Sequence, residues 1–99
     1  MLTISKENGN NGLVITLDGR LDTTTAPQLE ESVRESIDGV EELCFDMEKL
    51  AYISSAGLRV LLLAQKIMNK QGKMTVKNVS EEVKEIFEVT GFSDILTIV

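Results

Sequence analysis

The 99-residue chain contains no histidine. That absence excludes Ser-His-Asp and Cys-His nucleophile pairs, histidine-ligated metals and histidine acid–base chemistry. One cysteine cannot form an intrachain disulfide; Cys44, inside the apolar run ELCFDM, is expected to be a buried structural thiol. One proline, with 42% hydrophobic and 26% charged residues, gives the profile of a folded domain rather than a disordered segment. The sequence holds no G-x-x-x-x-G-K-S/T loop and no G-x-G-x-x-G turn for nucleotide phosphates. No apolar run approaches a membrane span, and Met1 leads directly into LTIS without the basic and apolar regions of a secretion signal. The expected location is therefore the cytoplasm.

Acid is plentiful. A formal charge of −6 repels phosphate backbones and anionic lipid, which argues against nucleic acid and membrane surfaces as partners. The carboxylates fall mostly in LEESVRES and SEEVKEIFE, patterns of solvated helix faces. Enzyme chemistry is disfavoured, and no cofactor or metal is implied. The length suits one domain over residues 1–99 with a single core.

Met1 to Ser5 alternates apolar and polar residues, as do Leu13, Ile15 and Leu17 with their neighbours. Between them, ENGNNG carries two Asn-Gly steps that favour hairpin turns, so the chain is expected to open with an antiparallel pair. TAPQLEESVRESIDG predicts a helix with a Thr25–Gln28 capping box, Pro27 in its first turn, Gly39 at its end and Leu29, Val33 and Ile37 on one buried stripe. ELCFDM, apolar on both faces, predicts a central strand covered on both sides. A helix from about Ser55 to Lys70 follows, then strand KMTVKNV. Ser80 and Gly91 bound a third helix, Phe92 folds back on its last turn, and ILTIV suggests a short edge strand. The order β-β-α-β-α-β-α-(β) indicates an α/β sandwich with a mixed, mostly parallel sheet of four to five strands.

In AYISSAGLRV two serines and a glycine stand where an apolar segment becomes a helix. Residues three and four apart share a helix face. Gly57, Val60, Ala64, Ile67 and Met68, with Leu61, form a core side; glycine there lets the helix start lie close to a strand. Ser55, Leu58, Arg59, Leu62 and Lys66 form a second stripe turned away from it. Either a neighbouring helix or the C-terminal tail covers the two leucines, or they are scattered surface leucines that need no explanation, or they belong to a protein-docking patch. Ser54 and Ser55 likewise have two available roles, a helix N-cap or a phosphorylation site whose anionic oxygens suit a helix N-terminus.

GRLDTTTAPQLEE and LCFDMEKLAYISSAGLRVLL resemble the STAS domains, and among them the small anti-sigma factor antagonists, over nearly the whole chain. The family's pattern at the helix start is Asp-Ser, a small residue, then Gly-Leu. In that register Ser55 matches the phospho-acceptor, Ala56 the small residue, Gly57 the glycine and Leu58 the leucine, while Ser54 stands where many members carry aspartate. The resemblance implies a switch. The unphosphorylated antagonist binds an anti-sigma factor that is also a serine kinase of the GHKL type and frees the sigma factor. Phosphorylation at Ser55, with Ser54 as second candidate, turns it off, and a phosphatase restores it. The partner surface implied comprises Asp22, Ser54, Ser55, Gly57, Leu58, Arg59 and Leu62; Asp22 equally fits a turn or cap, and Asp46 fits a structural strand-end aspartate. The alternative within the same fold is an unphosphorylated scaffold or a subunit of a lipid-transport ATPase.

Overall fold

A computed structural model of the chain describes residues 1–9 and 12–99. The two alternating N-terminal segments become strands β1 (Leu2–Asn8) and β2 (Gly12–Leu21), paired antiparallel as expected. The Gly9 N–H donates to the Gly12 carbonyl at 3.0 Å and closes the hairpin; the Asn-Gly turn chemistry expected there runs through residues 10 and 11, outside the described residues. Helix α1 (Ala26–Ser36), strand β3 (Glu42–Ile53), helix α2 (Ser55–Gln71), strand β4 (Lys73–Lys77) and helix α3 (Glu81–Thr90) follow. The sheet order is β1-β2-β3-β4, with β2, β3 and β4 parallel. None of the described helices is long and apolar enough to cross a membrane.

One face of the sheet makes the core. Ile15, Leu17, Phe45, Met47 and Val76 point the same way and share a fully buried cluster with Leu29 and Val33 of α1, Leu61 and Met68 of α2, and Val83 and Phe87 of α3. The opposite face, with Thr3, Ser5, Val14, Thr16, Cys44, Asp46, Thr75 and Lys77, is half-buried or exposed. Two expectations are corrected here. β3 is covered on one side only, and Cys44 is half-buried on the open side rather than sealed inside.

β3 is also longer than ELCFDM. Its register against β2 jumps twice, from Asp46 to Lys49 and from Leu50 to Tyr52, so it carries two bulges. They place Leu50 and Ile53, three residues apart, both inward, which hides the strand from a test for strict alternation.

The helix ends show which local signals act. Ser80 accepts from the Val83 N–H at 3.3 Å, and Gly91 leaves α3 with φ 82, both as expected. The Thr25–Gln28 capping box does not form. Thr25 Oγ1 instead donates to the Arg20 carbonyl and accepts from the Asp22 N–H, each at 2.8 Å, and Gln28 Nε2 reaches the Leu2 carbonyl at 3.1 Å. The tail adds a single parallel bridge, Val76 to Ile98, rather than a full fifth strand. Phe92 is half-buried and packs against the core.

Candidate functional site

The parallel strands β2 and β3 end side by side, with Leu21 opposite Ile53. The next residue, Ser54, donates its N–H to the Leu21 carbonyl at 2.9 Å, so the start of α2 is tied to the end of β2. Such carboxyl ends of parallel strands are where open α/β sheets present their sites. Ser54 has extended backbone (φ −101, ψ 176), and its carbonyl accepts from Leu58 N–H at 2.9 Å, the first turn of α2. Its hydroxyl makes no cap bond; the oxygen is buried and, among the described residues, has no hydrogen-bond partner. Ser55, the first residue of the helix, is exposed. Gly57 is buried as the close approach requires: a Cβ there would stand 2.6 Å from Leu21 Cγ and 2.9 Å from Ile53 Cγ1.

The outward stripe is only partly present. Leu58 is 4% exposed and belongs to the core, which overturns its place on a docking face. At about 100° per residue, Leu58 falls on the arc of Gly57, Leu61 and Gln65, all buried, rather than beside Arg59. Ser55, Arg59 and Lys66 remain exposed and Leu62 is half-buried, so four of the five stripe residues do share the accessible side. The core side holds as read, with Ile67 half-buried, and gains Gln65, whose polarity concealed it.

Beside Ser54 the β2–α1 loop is organised by Asp22. Its Oδ1 accepts from Thr24 N–H (3.0 Å), Thr24 Oγ1 (2.7 Å) and Thr25 N–H (3.2 Å), and it lies 3.3 Å from Thr25 Oγ1, whose one proton is directed chiefly at the Arg20 carbonyl. These bonds, the Thr24 hydroxyl first, together outweigh the upward pull of desolvation and hold its carboxyl below the usual 3.8. Oδ2 lies 3.8 Å from Arg20 Nε, and the Arg20 guanidinium stacks 4.5 Å from the centre of the Tyr52 ring. Sequence reasoning missed this pair, because only the bulged β2–β3 register sets Arg20 opposite Tyr52. Asp46, on the open face, accepts from Asn78 Nδ2 and from Glu48 N–H at 3.1 Å each, consistent with the structural role expected of it.

Between α1 and α2 runs a groove of about 530 Å³. Thr23 of the Asp22 loop and Ala56 and Arg59 of the α2 start line one part of it; Ser55, the chain neighbour of Ala56, is not itself part of the lining. Its lining joins apolar side chains to a rim of Glu30, Arg34, Arg59 and Lys66, a composition that protein-docking surfaces share.

The STAS domain family model matches residues 3–99. The chain is a member of that family. The Bordetella bronchiseptica protein BtrV, assigned by name to the anti-sigma factor antagonists, is 36% identical over 99 residues, covering 98% of this chain and 84% of its own length. The anti-sigma-B factor antagonist of Bacillus subtilis is 26% identical over 98 residues, covering 98% and 90% of the two chains. Among solved structures, an anti-sigma factor antagonist from Mycobacterium paratuberculosis superposes with a TM-score of 0.89 at 21% identity, covering 99% of this chain and 85% of its own. The mixed sheet with three helices is thus the STAS fold.

Proposed function

We propose that this chain is an anti-sigma factor antagonist, one STAS domain over residues 1–99, controlled by phosphorylation of Ser55. The unmodified form binds an anti-sigma factor that is itself a GHKL-type serine kinase, and the sigma factor is released. The kinase passes the γ-phosphoryl group of its ATP to Ser55 Oγ; the hydroxyl proton is lost, ADP leaves, and a separate phosphatase hydrolyses the ester to reset the switch. The names of the relatives support the antagonist role. The observation that carries the choice of serine is the contrast in exposure: Ser55 is exposed, whereas the Ser54 hydroxyl oxygen is buried. A kinase reaches the first without opening the fold. Of the expected partner surface, Ser55, Arg59, Leu62 and the Asp22 loop are the accessible parts.

The phosphate would add about −1.5 to −2 charge beside Ala56 of an apolar groove, which opposes docking there. The test is phosphate incorporation with the cognate anti-sigma kinase and radiolabelled ATP. Ser55→Ala abolishes label, Ser54→Ala keeps most of it, and Ser55→Asp folds but binds the kinase poorly. Label kept in Ser55→Ala and lost in Ser54→Ala moves the site by one residue. No label in the wild type, with a kinase shown to be active, replaces the switch with the unphosphorylated scaffold.

A further inference from the structure

Helix α2 differs in charge from the rest of the molecule. Its 17 residues include Arg59, Lys66 and Lys70 and no carboxylate, on a chain whose formal charge is −6. Arg59 and Lys66 stand exposed on the rim of the α1–α2 groove, and among the described residues neither forms an ion pair. The groove's one carboxylate, Glu30, is already held by Arg34 Nε at 3.0 Å. The floor between these charges is apolar: Ala26 and Pro27 from α1, Ala56, Val60, Leu62 and Leu63 from α2. From Ala56 to Lys66 the helix runs about 15 Å, the length of two to three turns of another helix laid alongside.

We propose that this groove docks an acidic amphipathic helix of the anti-sigma partner, with its apolar stripe on the floor and its carboxylates on Arg59 and Lys66. The proposal rests on the antagonist reading and adds which surface is used and what chemistry fits it. Unpaired cations in a field of the opposite sign select an anionic partner locally, and two helices flanking an apolar trough take a third by its i, i+3, i+4, i+7 anchors. The same geometry links the groove to Ser55. Arg59 follows Ser55 by four residues on one helix, the order in which an anion and a cation pair favourably. A phosphate on Ser55 takes Arg59 for itself and withdraws it from the partner helix.

The probe is a synthetic helical peptide with a leucine stripe flanked by glutamates, titrated into isotope-labelled protein, beside a counterpart with lysine for glutamate. The glutamate peptide is expected to shift the amide signals of Ala26, Ala56, Val60, Leu62 and Leu63, and the lysine peptide to leave them in place. The double variant Arg59→Gln/Lys66→Gln is expected to weaken glutamate-peptide binding at least tenfold without lowering the melting temperature. Protein made with phosphoserine at position 55 by codon suppression is expected to bind less tightly, and Arg59→Gln to erase most of that difference. Equal binding of both peptides, shifts confined to another surface, or an unweakened double variant overturns the proposal. The whole anti-sigma kinase separates the two readings. If it binds wild type and double variant alike, the groove is wrong and the antagonist role stands. If it binds neither while the glutamate peptide still seats in the groove, the antagonist role fails and the groove's acidic-helix chemistry stands.

Discussion

Gly57 meets Leu21 so closely that a Cβ on the glycine would lie 2.6 Å from Leu21 Cγ. Leu21 and Ile53, its other neighbour, are buried at 0% and 1% exposure and have no room to retreat. Gly57→Ala gains about 1 kcal/mol of helix propensity. It must also push the helix start off the strand ends, an overpacking cost of about 1–3 kcal/mol. The expected net is a loss of about 1 kcal/mol, or about 4–8 °C in a thermal melt. An unchanged melting temperature would show that the helix shifts without strain.

Ser54 occupies the N-cap position, where serine to alanine ordinarily costs about 1 kcal/mol. Its hydroxyl, however, is buried and unpartnered among the described residues. Removing an unpaired buried hydroxyl relieves a desolvation cost instead of breaking a bond. Ser54→Ala should therefore melt at the wild-type temperature or above it. A fall of several degrees would show that the hydroxyl caps the helix in solution.

Leu58 and Leu62 differ by one helical turn and should separate cleanly. Leu58→Asp places an unpaired carboxylate in the core and should cost more than about 4 kcal/mol, enough to leave little folded protein by circular dichroism. Leu62→Asp, on the half-buried groove floor, should cost within about 1 kcal/mol and reduce capture of the anti-sigma kinase. Equal destabilisation by the two would remove Leu62 from the docking surface.

Asp46 ties stability to acid. Burial pulls its pKa upward, but the Asn78 side chain, the Glu48 N–H and the Lys77 charge outweigh it, so the carboxyl stays below the usual 3.8. A group lowered in the folded state stabilises the fold above its unfolded pKa, and this is lost as pH falls through the folded value. Asn78→Gly keeps the positive φ that Asn78 adopts (58) while deleting the donor. Melts across the acid range should show Asn78→Gly less stable than wild type near neutrality, with the gap closing below about pH 4. A gap constant with pH would mean the loss comes from the backbone alone.

Elements with strong local signals were legible in the sequence: the antiparallel opening pair, the Leu29–Val33–Ile37 stripe, and α3 between Ser80 and Gly91. Each is decided within a few residues, by a period or a cap. The misreadings depend on distant parts of the chain. The Thr25–Gln28 box fails because Asp22 and Arg20 claim Thr25, and Gln28 reaches across to β1. The bulges of β3 exist only against β2, and they both lengthen the strand and bring Arg20 over Tyr52. The candidate site was read from a motif, which singled out Ser55 as the proposed acceptor, and Ser55 stands exposed at the first position of α2. Leu58 was misplaced because a helical stripe counted from the first residue does not reveal which arc the sheet covers.

The C-terminal residues guard the outer edge of the sheet. Val76 donates its N–H to the Thr97 carbonyl and accepts from the Val99 N–H, each at 2.9 Å, and no other strand pairs with that side of β4 among the described residues. An uncovered strand edge is a template for another chain. Trimming residues 97–99 bares that edge of β4, and the expected outcome is self-association of two copies along it, read as a rise in apparent mass in size-exclusion chromatography.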